Sequence, residues 1–119
     1  MKRGPESKRT LELVNLLRKK AVEDKVRIWK RVAERLSRSA RMIAEVNLYD
    51  IDRHSKEGDT IVVPGKVLST GVLSHRVKIA AHKFSASAAD KIRKSGSECM
   101  SIADVVKDNP KGKGIILME

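Results

Sequence analysis

Apolar residues recur first with a helical period and then, past residue 45, in short strand-like runs. Leu13, Leu16 and Leu17 share one face with Lys20, and Leu11, Val14 and Ala21 widen it. That spacing predicts a helix from a cap at Ser7 or Thr10 to about Glu23. Val26, Trp29, Ala33 and Leu36, with Ile28 and Val32, make a second stripe, predicting a helix from a cap at Asp24 to about Ser37. Asn47 is placed to cap a short helical turn through Leu48, Ile51 and His54. Ile61 to Val63 reads as a strand and Lys66 to Leu68 as another, joined by a turn at Pro64-Gly65. Proline presets φ at the first corner, and glycine accepts the positive φ of a type II turn, so Lys66 is expected to leave a tight surface turn.

The pattern continues in the same register of short elements. Val77, Ile79 and Ala81 alternate with Lys78 and Ala80 as a strand. Ser85 or Ser87 opens a helix anchored by Ile92 and stopped at Gly96; Ser101, with Asp104 three residues on, opens a short one over Ile102, Val105 and Val106. Asn109-Pro110 ends it, and Ile115 to Met118 is the last strand. The order predicts an α/β fold: an irregular succession of short strands and helices with an N-terminal helical extension. One domain over 1–119 is expected, with 1–45 a basic helical extension and 46–119 the α/β core.

Composition narrows the role. Of the 119 residues 40% are hydrophobic but only 3% aromatic, namely Trp29, Tyr49 and Phe84, so the core is aliphatic and base stacking has little to work with. The formal net charge is +11, which points to a polyanionic partner, nucleic acid before an anionic membrane. Residues 1–45 hold 14 Lys/Arg against 6 Asp/Glu and residues 46–119 hold 12 against 9, so the first part carries most of the attraction. Cys99 is the single cysteine, so no internal disulfide forms; a reducing, cytoplasmic setting is the default, and Cys99 reads as a small apolar residue. No apolar run approaches the roughly 18 residues of a membrane span, and the charged N-terminus lacks the apolar core of a signal peptide.

Arg35, Arg38 and Arg41, spaced by three around Ser37, Ser39 and Ala40, form the best basic cluster and read as phosphate-binding. Arg18, Lys19 and Lys20 crowd the expected last turn of the first helix, where dipole complementation and RNA contact explain them about equally. Trp29, inside an apolar stripe, is a core anchor. Gly65-Lys66 does not make a P-loop, because Thr60 stands where the first glycine belongs and Val67 where Ser or Thr must follow the lysine. His54, His75 and His82 lack metal-ligand spacing and lie beside or near Arg53, Arg76 and Lys83; RNA contact suits His54 and His82 better than catalysis. No metal, cofactor, small-molecule substrate or catalytic set is expected.

Val62 to Leu68, then Gly71, Val77, Ala80-Ala81, Phe84-Ser85 and Lys91-Ile92, are similar in order and spacing to the archaeal and eukaryotic large-subunit ribosomal protein family L-eighteen-e, a relative of bacterial protein L-fifteen. Trp29, Ala33 to Leu36, Ala44 to Leu48 and Asn109-Pro110 add to the resemblance, which spans about Ser7 to Glu119. It implies a structural, non-enzymatic protein that binds large-subunit ribosomal RNA beside neighbouring ribosomal proteins, in the cytoplasm. Carried over by position, it implies RNA contact at Arg38, Arg41, Asn47, Pro64, Gly65, Lys66 and Ser85. Arg35, Arg53, His54 and Lys83 join them as basic or polar neighbours. The rival reading from composition is a nonspecific chromatin-type DNA-binding protein; an RNA-modifying enzyme is a more distant third, with no cofactor motif to support it.

Overall fold

Ile61-Val62-Val63 is apolar on successive residues, the pattern of a strand covered on both faces, and it lies at the centre of the sheet. The computed structural model describes residues 8–24, 26–37 and 44–119. Their elements run α1 (Lys8–Asp24), α2 (Arg27–Leu36), β1 (Ala44–Asn47), α3 (Leu48–Arg53), β2 (Thr60–Leu68), β3 (Lys78–Phe84), α4 (Ala86–Lys94), β4 (Glu98–Met100), α5 (Ile102–Asp108) and β5 (Ile115–Leu117). Every strand pairing is parallel, in the order β1-β2-β3-β4, with β5 also on β2.

Two strands share one edge of β2. β5 pairs with Thr60 to Val62, and β1 with Gly65 to Leu68. The change of partner falls at Val63-Pro64, where a residue without an N–H is tolerated. On the other edge the register with β3 slips between Val63↔Ala81 and Lys66↔Lys83, so Pro64 and Gly65 together face the single residue His82. This is a β-bulge. The expected surface turn is thus corrected: Pro64 and Gly65 are buried in the middle of one continuous strand. Gly65 is absent from the positive-φ glycines. Its role is close approach, since a Cβ there would collide with the Ala44 carbonyl.

Strand alternation divides the core between the two faces of the sheet. Ile61, Val63, Val67, Ile79 and Ala81 pack with Leu48 and Ile51 of α3 and Ala88 and Ile92 of α4. Val62 and Ala80 pack on the opposite face with Val14, Leu17, Trp29, Val32, Ala33 and Leu36 of α1 and α2, and with Ile102, Val105 and Val106 of α5. The helices expected as an N-terminal extension therefore cover one face of the sheet. Trp29 anchors them: it is fully buried, and its Nε1–H donates to the Pro110 carbonyl at 2.6 Å.

Two further expectations are corrected. Asp24 ends α1 instead of capping α2; the residue before α2 is Val26, whose N–H bonds to the Ala21 carbonyl at 3.2 Å and which offers no side-chain cap. Because α1 runs to Asp24, Arg18, Lys19 and Lys20 lie before its last turn, and dipole complementation does not explain them. β4 was not expected, because three residues, Glu98, Cys99 and Met100, carry no readable alternation. Three of the expected caps hold in position: Asn47 precedes α3, Ser85 Oγ accepts from the Ala88 N–H at 3.1 Å, and Ser101 Oγ from the Asp104 N–H at 3.1 Å.

Candidate nucleic-acid interface

An all-parallel sheet brings the carboxyl ends of its strands to one edge, where open α/β folds commonly hold ligands. Here that edge gathers Asn47, Leu68 and Phe84, since Asn47 is in register with Leu68 and Val67 with Phe84. Ser85 follows at once, and its N–H donates to the Val67 carbonyl at 3.0 Å. Val67 and Phe84 turn onto the first core. Their predecessors Lys66 and Lys83 are register neighbours and so project to the opposite face, Lys66 half-buried and Lys83 exposed.

Like charges side by side on a sheet repel. Glu45, in register with Lys66 on its other side, makes the row Glu45–Lys66–Lys83, with one positive charge in excess. Neither lysine belongs to an ion pair among the described residues. His82, opposite the bulge and next to Lys83 along β3, is half-buried; desolvation first, and then the charge of Lys83, hold its pKa below the ordinary histidine value. Burial and the lysine both favour the neutral ring.

The short helix α3 borders the same edge. The Asn47 N–H donates to Asp50 Oδ2 at 3.2 Å, which fixes where the helix starts. One turn on, the Arg53 guanidinium lies 5.2 Å from the centre of the Tyr49 ring. His54 Nδ1 donates to the Asp50 carbonyl at 2.9 Å, so it is the exposed end of a helix cap. Lys91, from α4, crosses to the loop after β2 and donates to the carbonyls of Ser69 at 2.8 Å and Gly71 at 3.1 Å. The structure thus brings Asn47, Lys66, Lys83 and Ser85 to the carboxyl edge, whereas Arg53 and His54 lie at the far end of α3, His54 in a hollow with Glu45, Asp50 and Glu119.

The remaining candidates are placed differently. Arg35 is engaged within the fold: its Nε lies 2.9 Å from Glu119 Oε1, off the line of a hydrogen bond, while Arg31 Nε donates to the same carboxylate at 2.8 and 3.1 Å. Arg38 and Arg41 lie outside the described residues. Burial of Pro64 and Gly65 removes the surface turn on which contact at those two residues rested. Tyr49 stands in solvent, 53% exposed, unlike Trp29, which is fully buried, and Phe84, which is partly buried.

One arrangement invisible in the sequence has the outline of a nucleophilic triad. His75 Nε2 lies 2.8 Å from Ser55 Oγ, and His75 Nδ1 lies 3.4 Å from Asp52 Oδ1. The hydroxyl, however, already donates to the Ile51 carbonyl at 2.6 Å, so toward His75 Nε2 it is left to accept. A base must take the proton of the nucleophile, and here that proton points elsewhere. Asp52 also accepts from the N–H and Oγ of Ser74, both at 2.8 Å, and these bonds hold its pKa below the usual carboxylate value. The trio ties α3 to the loop before β3. Among the described residues no cluster of His, Cys, Asp and Glu suits a metal ion. No described helix is long and apolar enough to cross a membrane.

Fold and surface together define a basic α/β/α domain that sets two adjacent lysines, Lys66 and Lys83, beside the carboxyl edge of a parallel sheet. The family model described as "Ribosomal protein 60S L18 and 50S L18e" matches residues 6–119, and this chain belongs to that family. Among curated relatives, the "Large ribosomal subunit protein eL18" of Methanoregula boonei is 46% identical over 110 residues, covering 92% of this chain and 91% of the relative. Its namesake from Methanothermobacter thermautotrophicus is 46% identical over 109 residues, covering 92% and 90%. That of Archaeoglobus fulgidus is 44% identical over 106 residues, covering 89% and 91%.

Proposed function

We propose that this protein is a structural constituent of the large ribosomal subunit, that it acts in the cytoplasm without catalytic turnover, and that it binds folded ribosomal RNA beside other ribosomal proteins. The observation that carries the RNA contact is the register pairing of Lys66 and Lys83, two lysines held side by side without an ion-pair partner among the described residues. A polyanion removes the repulsion between them. Phosphates also replace condensed counterions, whose release drives binding. Arg53 and Lys91 add positive charge from α3 and α4, and Asn47, His54 and Ser85 offer polar groups. The names and coverage of the archaeal relatives support the subunit assignment.

Co-sedimentation tests the assignment. The tagged chain is expected to stay with purified large subunits through a moderate salt wash. Recovery only with bulk nucleic acid, released by the wash, contradicts the ribosomal reading and favours a nonspecific DNA-binding one.

A further inference from the structure

We propose that Tyr49 is a stacking platform for one unpaired RNA base, with Arg53 as its cationic backing; this deepens the RNA-binding reading above and rests on it. Tyr49 is 53% exposed, whereas Trp29 is fully buried and Phe84 is packed against the first core. Exposure of this ring stands out beside a buried Trp29 and a partly buried Phe84, and its surroundings hold it in place. The Tyr49 N–H donates to the Thr70 carbonyl at 2.9 Å. Gly71, at φ +105°, lies so close that a Cβ would come within 2.5–2.7 Å of the Tyr49 backbone and Cβ. The same loop is pinned from its far side by Lys91, through the Ser69 and Gly71 carbonyls. The root of the ring is therefore fixed while the ring itself stays in solvent, so little freedom is lost when it is covered.

The chemistry of the patch selects the occupant. Arg53, one helical turn from Tyr49, sits 5.2 Å from the ring centre and leaves the residue half open to solvent. A base has a π-face for Tyr49 and a phosphate for Arg53 or Lys91. Val72, next to Gly71 in the loop that holds the ring, is 73% exposed. The charge complements a nucleotide, and an aromatic face next to a guanidinium is the arrangement on which unstacked bases are received. A duplex offers no such face, so the site is specific for a looped-out or single-stranded nucleotide.

The test compares the full chain with Tyr49→Ala, Tyr49→Leu and Tyr49→Phe in binding to protein-free archaeal large-subunit ribosomal RNA, across a salt series. Stacking on one aromatic ring accounts for about a 5- to 150-fold change in affinity. Ala and Leu are each expected to weaken binding within that range with the salt slope unchanged, and Phe to stay within about twofold of the wild type. Tyr49→Ala binding as tightly as wild type overturns the platform while leaving the RNA reading intact, provided Lys83→Ala still weakens binding. Full affinity in Tyr49→Leu also overturns it, because an apolar contact with a partner protein would then explain the patch. Failure of the wild-type chain to bind the RNA at all overturns both.

Discussion

Gly65 lies against Ala44 so closely that any side chain would enter the space of the Ala44 carbonyl oxygen. The contact is between neighbouring parallel strands at the first register pair of β1 with β2, so it sets where β1 can dock. Gly65→Ala forces the two backbones apart. It is expected to lower unfolding stability by about 1–3 kcal/mol, the range for overpacking a well-filled site. Urea unfolding followed by circular dichroism measures it.

Trp29 joins the helical layer to the loop after α5 through a 2.6 Å hydrogen bond to Pro110. Trp29→Phe keeps most of the ring but leaves that carbonyl without its donor, at a cost of about 1–3 kcal/mol. Trp29→Ala removes the anchor of the second core, and a loss of about 3–5 kcal/mol is expected. Both are read from urea midpoints. A cost near zero for Trp29→Ala would show that α1 and α2 are not packed on the sheet as described.

Two titrating groups give the stability a defined pH dependence. Asp52 has its pKa lowered by the bonds from Ser74. Its stabilisation is complete above the unfolded carboxylate value, about 3.9, and is lost as pH falls through the lower folded value. The stability difference between wild type and Asp52→Asn is therefore expected to hold constant near neutral pH and shrink below about pH 4. His82 is lowered by desolvation and then by Lys83. The unfolded chain takes up its proton first, so stability falls as pH drops below about 6.5, and His82→Gln is expected to flatten the profile there. Denaturation midpoints across pH separate the two windows.

Under the proposed function, Lys83 carries a charge that costs the free protein stability. Its charge faces Lys66 across one strand spacing. Lys83→Thr is expected to stabilise the free protein by about 0.2–1 kcal/mol while weakening RNA binding. Loss of both stability and binding would mean that the pair contributes to the fold instead.

Local chemistry and tertiary geometry contribute unequally to what can be read from the chain. The caps at Ser85 and Ser101 and the stripe through Trp29 are legible because a few neighbouring residues specify them. Pro64-Gly65 misleads because its turn chemistry is local, whereas the bulge depends on β5 and β1, distant in sequence, taking turns along one edge of β2. Lys66 and Lys83 are separately visible as candidate contacts, but their adjacency appears only once the register is known. The same holds for Ser55, His75 and Asp52, and for Tyr49, whose exposure no periodicity announces.

The salt dependence of binding to protein-free large-subunit ribosomal RNA tests the central claim most directly. If the basic surface contacts about 6–10 phosphates, affinity falls by about 10³–10⁵ between 50 and 200 mM salt. Lys66→Ala and Lys83→Ala are each expected to reduce the slope by about one. An affinity that does not change with salt, or a slope that neither substitution alters, would contradict the account.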